Sequence, residues 1–380
     1  MLITRRGFGC TMMAAAARPA AVTELKAYLQ GLIDSKVVPG VKVAATLDDK
    51  PFIELFLGTY CDQKRRDNPC EWKAVHSLAS VSKMVTATAI VMAWQDGLID
   101  LDAPAVKYIP EFGAHGKEKI TIRQCLTHTA GIPTAIPGKW MDTDEHWNET
   151  LALVCDKELE FEPGSRTVYH GSTGPMVAAA VVRRKSGGKS WHAICKERVF
   201  DPLGLASMTF ELPPPDVPVA MLPAPKDLSQ GARIYRNGVN NPGGGLMGNI
   251  GDILKFLRFH TRGGVTGDGK RLLAERFWQE MHTNQFAGKP AATKDKPGHE
   301  SWGLGMMLRA EGTKGNAGWL GDPDRSGPRV FSHAGISTAL AVGDPDARLE
   351  IAILTTDVPD PVSKASEIRR NSINGVYAAR

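Results

Sequence analysis

Ser77-Leu78-Ala79-Ser80-Val81-Ser82-Lys83, running into Met84-Val85-Thr86-Ala87-Thr88-Ala89-Ile90-Val91-Met92-Ala93-Trp94, is the stretch on which the reading of this chain turns. A serine and a lysine three residues apart on a helix share one face, about one turn from each other. At a helix N-terminus the hydroxyl also lies near the positive end of the dipole. A lysine held there, desolvated and close to other cations, has its pKa lowered enough to take the serine's proton. The spacing therefore points to Ser80 as a nucleophile with Lys83 as its base.

The pattern alone is weak, because Ser-x-x-Lys is expected about once by chance in a chain of this size. It occurs again at Ser186-Gly187-Gly188-Lys189, in a glycine-rich helix break that reads as a solvated turn. Ser80 instead opens an almost wholly apolar helix that stops at Asp96-Gly97. A helix apolar on every side is a buried one, so its first turn is held rigidly.

Outward from this helix, residues 21–35 read as a leading helix. Val41–Leu47 and Phe52–Leu57, separated by Asp48-Asp49-Lys50-Pro51, read as a hairpin. A second hairpin runs from Ser337–Val342 through Gly343-Asp344-Pro345-Asp346 to Leu349–Thr355, with a closing helix over 363–379. Helical patterns at 80–96, 173–186, 189–199 and 250–262 lie between. Sheet segments at both ends of a helical middle predict an α+β fold of two lobes, one of them discontinuous in sequence. The expected division is a single catalytic unit over 21–380, its α/β lobe at about 21–75 and 300–380 and its helical lobe at about 76–299.

The 380 residues carry a formal net charge of +5, of which Arg5, Arg6 and Arg18 supply three, leaving +2 for the remainder. With no basic stripe or reading motif, a nucleic-acid partner is not expected. No run approaches the roughly 18 apolar residues needed to span a bilayer. Arg5-Arg6, a short apolar run and small residues up to about Ala20 resemble a twin-arginine export leader over 1–20, which predicts a periplasmic or secreted location, and otherwise a cytoplasmic one. The six cysteines form no Cys-x-x-Cys pair, and the ten histidines form no pair at helical ligand spacing, so neither a metal nor another cofactor is expected. Cys61 and Cys70 flank a polar loop, and whether they bridge is open.

Further segments lie in a consistent order. They are Asp100-Leu101-Asp102-Ala103-Pro104, Ile120-Thr121-Ile122-Arg123 leading into Leu126-Thr127-His128-Thr129-Ala130-Gly131, Phe161-Glu162-Pro163-Gly164, Pro202-Leu203-Gly204-Leu205, Gly243-Gly244-Gly245-Leu246 and His333-Ala334-Gly335. With Ser77–Lys83 they resemble the serine β-lactamase family, in the branch that holds class C β-lactamases, DD-peptidases and related esterases. The resemblance implies the β-lactamase/transpeptidase-like form of the fold: an antiparallel sheet flanked by helices, an α/β sandwich, beside an all-helical lobe.

It also implies roles. Tyr169, which follows the Phe-x-Pro-Gly turn, stands where the family has Tyr-x-Asn and would serve as general base and then acid. The chain departs from that motif at Tyr169-His170-Gly171, with glycine in the place of an asparagine that contacts a substrate amide; whether His170 or Ser172 substitutes is open. His333-Ala334-Gly335 takes the place of Lys-Thr-Gly, which puts His333 and Gly335 at the substrate. The backbone N–H groups of Ser80 and Ile336 would form the oxyanion hole. By the same resemblance His128 fixes a loop and Gly243–Gly245 is a turn beneath the site.

The expected function is hydrolysis of carboxylic esters or small amides through an acyl-enzyme. The alternatives are a DD-peptidase or β-lactamase acting on D-Ala-D-Ala-like substrates, and a penicillin-binding-type scaffold without turnover. The partner is a small ester, amide or peptide; the oligomeric state is left open.

Overall fold

Alternating apolar residues in the two hairpins dictate the sheet. In the computed structural model, which describes residues 17–62, 67–133, 141, 143–220, 240–286, 291–293, 296–298, 301–309, 317–336, 339–360 and 363–380, β1 (Gly40–Leu47) and β2 (Lys50–Tyr60) form the first hairpin. The later strands β11 (Phe331–Gly335), β12 (Ala339–Asp344) and β13 (Leu349–Thr355) follow one another as neighbours. β1 joins β13 antiparallel, with Val41 opposite Thr355 and Ala44 opposite Ala352. The ends of the chain thus meet at the centre of one eight-stranded sheet. Short strands complete its edges: β3 (Asn68–Pro69) beside β2, and β10 (Met307–Leu308) with β9 (Ser301–Trp302) beside β11.

All eight residues of β1 are buried, as expected of a strand covered on both faces. On one face Val41, Val43, Leu340, Val342, Ile351 and Ile353 pack against Leu25, Leu29 and Leu32 of α1 (Pro19–Asp34) and against Ile368, Ile373 and Val376 of the last helix (Lys364–Ala379). On the other, Ala44, Ala341, Ala352 and Leu354 belong to the core of the helical lobe. The helix Ile250–Thr261, expected within that lobe, packs directly on β1, β12 and β13.

The lobe is built around α2 (Ser82–Gln95), whose residues from Ser82 to Ala93 are all buried. Burial of Met84, Val85, Ile90 and Val91 contributes about 1.5–3 kcal/mol each relative to exposure. The helix ends at Gly97, whose φ of +71° a β-carbon would disfavour. The small sheet of β4 (Val75–Ser77), β5 (Val219–Ala220) and β6 (Met247–Gly248) feeds the chain into this helix. The expected export leader falls mainly on residues 1–16, outside the described residues; Pro19 and Ala20 form the first turn of α1. Cys70 is a free thiol.

Candidate active site

Ser80 does not lie in the α-helix itself. It sits in a 3-10 turn over Ala79–Val81, immediately before α2. Ala79 takes a φ of +44°, a left-handed conformation unusual for a residue with a β-carbon. The turn is held from several directions. Leu78 N–H donates to Leu246 O at 2.9 Å and Val81 N–H to Leu78 O at 3.1 Å. The Ser82 hydroxyl donates to Ala79 O and accepts from Leu246 N–H at 2.9 Å. This network over-determines the strained residue and fixes where the Ser80 hydroxyl stands.

Lys83 is 2% exposed, and its ammonium donates to Ser80 Oγ at 3.2 Å and to Gly243 O at 2.7 Å. Its nitrogen lies 4.9 Å from the centroid of the Tyr169 ring. Among the described residues no carboxylate compensates this buried charge, and burial pulls the pKa down to about 7. The amine is therefore partly neutral near pH 7, the form that can accept a proton from Ser80. Behind the helix, a β-carbon on Gly305 would stand 2.7 Å from Lys83 O, so only glycine permits this approach.

Ser80 and Tyr169 open into a cavity of about 630 Å³ walled by Trp302, Trp319, Gly335 and Ile336. Ile336 is 78% exposed, an apolar side chain left standing at the edge of the cavity. Gly335 is pressed against the nucleophile's turn: a β-carbon there would stand 2.5 Å from Leu78 O. Gly171 and Ser172 also line the cavity. Ser172 precedes the helix Thr173–Lys185 without making a side-chain cap.

Two residues expected at the substrate, His170 and His333, stand behind the cavity wall. Both are fully buried and do not border the cavity. The His170 ring lies 5.7 Å from that of His128, and the His333 ring lies among aromatic side chains. His333 sits 6.0 Å from the Tyr169 ring, 5.7 Å from Trp302 and 5.6 Å from Trp319, and it bonds through Nδ1 to Ala334 O at 2.9 Å. Burial, with Lys83 nearby, lowers His170 to about 4 and His333 to about 3, so both are neutral at pH 7. His128, with a φ of +61°, accepts the His170 backbone N–H on Nδ1 at 3.1 Å and stacks edge-on to Trp302 at 4.6 Å. These imidazoles form the wall behind Tyr169. Arg369 of the last helix also lines the cavity, and nothing in the spacing of Ile368-Arg369-Arg370 marks it in advance. Among the described residues no cluster of His, Cys, Asp and Glu could hold a metal ion, and no helix is long and apolar enough to cross a membrane.

Comparison with known proteins agrees with this architecture. The chain is 29% identical over 199 residues to the Esterase/beta-lactamase LipL of Mycobacterium tuberculosis, a match covering 51% of this chain and 44% of LipL. The chain spans about half the length of the curated relatives it matches. Among solved structures, a penicillin-binding protein homolog from Caulobacter crescentus superposes with a TM-score of 0.76 at 22% identity, covering 96% of this chain and 99% of the other. A family VIII carboxylesterase superposes with a TM-score of 0.71 at 23% identity, covering 94% and 99%. The model of the Beta-lactamase family matches residues 25–373, and the chain belongs to that family.

Proposed function

We propose that the protein is a serine hydrolase that cleaves carboxylic esters through an acyl-enzyme on Ser80. The observation that carries this reading is the Lys83 amine, desolvated and, among the described residues, unpaired with any acid, 3.2 Å from the Ser80 hydroxyl. Neutral Lys83 takes the Ser80 proton as Oγ attacks the ester carbonyl. The N–H groups of Ser80 and Ile336 receive the oxyanion. The Tyr169 hydroxyl, at the cavity beside Lys83, passes a proton to the departing alkoxide, and water then releases the acid by the same route in reverse.

Esters are favoured over amides on two counts. Gly171 stands where the family's asparagine would hold a substrate amide, and the walls formed by Trp302, Trp319 and Ile336 are apolar. Relatives span both chemistries: LipL is an esterase/beta-lactamase, and the AmpH protein of Escherichia coli is a D-alanyl-D-alanine-carboxypeptidase/endopeptidase.

A fluorophosphonate probe tests the nucleophile. It is expected to label the wild type and leave Ser80→Ala unlabelled; equal labelling of both would remove Ser80 from the role. p-Nitrophenyl esters assayed beside nitrocefin then separate the chemistries. Faster turnover of nitrocefin than of any ester would replace the esterase reading with a β-lactamase one.

A further inference from the structure

The amide joining Gly335 to Ile336 carries two groups that matter to the proposed reaction. Its N–H, on Ile336, is one of the two donors assigned to the oxyanion. Its carbonyl, on Gly335, accepts a hydrogen bond from Arg369 Nη2. Arg369 is 8% exposed, and it is the one charged side chain among the described residues lining the cavity. Among the described residues its guanidinium meets no carboxylate and makes that one hydrogen bond to Gly335 O, and burial pulls its pKa down to about 10.

Burying a cation without a counter-ion is costly, so its position calls for an account. In a planar amide a cation at oxygen draws electron density through the C–N bond. That raises the double-bond character and makes the attached N–H a stronger donor. The same bond also fixes the amide in space, since Gly335 is wedged on its other side against Leu78 and Ala79, the residues that carry Ser80. Lys83 and the histidines cannot supply a permanent charge here, because Lys83 titrates near pH 7 and His333 stays neutral.

Building on the hydrolase reading, we propose that Arg369 is a positioning residue that orients and polarises the Gly335–Ile336 amide for stabilisation of the oxyanion. It acts through the Ile336 N–H and touches no reacting atom.

The test uses Arg369→Gln, which keeps a donor and drops the charge, together with Arg369→Lys and Arg369→Ala, each assayed with a neutral p-nitrophenyl ester. Removing a direct oxyanion donor elsewhere costs 10²–10³ in kcat, so weakening one is expected to cost about 10-fold to 100-fold here. KM should stay within about twofold, and phosphonylation by a fluorophosphonate should slow by the same factor as kcat. Added methylguanidinium should restore kcat to Arg369→Ala, and Arg369→Lys should retain more than Arg369→Gln. Should Arg369→Ala fail to fold, the Gln and Lys variants carry the comparison. Wild-type kcat in Arg369→Gln, a loss confined to KM, or a loss seen only with substrates bearing a carboxylate would each overturn the proposal. Ser80→Ala in the same assay separates the two levels. Turnover that survives it removes the hydrolase reading and this role with it, whereas an inactive Ser80→Ala beside an unimpaired Arg369→Gln removes this role alone.

Discussion

The chain carries the same four-residue pattern twice, and the two copies fare differently. At Ser80–Lys83 the lysine is 2% exposed, has no acid within reach among the described residues and bonds to the serine three residues before it. At Ser186–Lys189 the serine caps the end of the helix Thr173–Lys185, and the lysine side chain, 51% exposed, pairs with Glu197 at 2.5 Å. Burial without a counter-charge disfavours the charged form of a lysine and pulls Lys83 down to about 7. The difference teaches that spacing places two groups together, while burial without a counter-charge makes one of them a base.

The largest expected effect breaks that comparison outright. Ser80→Ala should lower kcat/KM for p-nitrophenyl esters by about 10³-fold or more, the scale on which loss of a nucleophile acts elsewhere. Ser186→Ala should leave it within twofold. Comparable losses in the two variants would mean that the buried serine is not the one that reacts.

Next come the two lysines. Lys83→Met should cost about 10²–10⁴ in kcat, the range for a lost general base, and Lys189→Met nothing measurable. In the wild type, kcat/KM should rise with pH through about 7, as the folded-state amine of Lys83 loses its proton. Stability should run with the same sign. The Lys83 amine titrates near 10.5 when unfolded and near 7 when folded, so between these values the unfolded chain binds the extra proton. Stability then rises with pH across that window, and the folded state bears the penalty below it. Replacing the buried amine with a thioether of similar length should therefore leave stability at pH 7 unchanged or raise it by about 1–4 kcal/mol, even as activity falls. A Lys83→Met variant that melts well below the wild type would show that the amine's bonds to Ser80 and Gly243 outweigh its desolvation.

What could be read in advance follows the same division between local pattern and environment. The hairpins were legible because period-two alternation and the Asp48-Asp49 and Asp344–Asp346 turns are local signals, and α2 because its apolar run is unbroken. The Ser80 and Lys83 pair follows from helical spacing, although the serine proves to stand in a 3-10 turn one step before the helix. Tyr169 carried no signal of its own beyond its place after Phe161–Gly164 and came through resemblance. The misplacements are all tertiary. Nothing in Tyr169-His170-Gly171 says that the imidazole turns away from the cavity to lie beside His128, and nothing in His333-Ala334-Gly335 says that the ring faces Trp302 and Trp319. Likewise, Arg369 and the helix Ile250–Thr261 gain their roles from what the sheet brings alongside them.

The smallest effect sharpens the comparison at the backbone. Beside Lys189 the left-handed positions are taken by Gly187 at φ +70° and Gly188 at φ +79°, which suffer no strain. Beside Ser80 the left-handed position is Ala79 at φ +44°, held by the Ser82 and Leu246 bonds around it. Exchanging the residues should show what that strain amounts to. Gly187→Ala meets no atom within 4 Å, so its cost is conformational alone, about 1 kcal/mol read as a lower urea midpoint, with activity unchanged. Ala79→Gly relieves the strain but adds freedom to the unfolded chain, and the two nearly offset, leaving stability within about 1 kcal/mol of wild type. If the network alone holds the turn, kcat in Ala79→Gly should fall by less than about threefold. A larger fall would show that the Ala79 methyl, which borders the cavity, is itself needed to keep the Ser80 hydroxyl aimed.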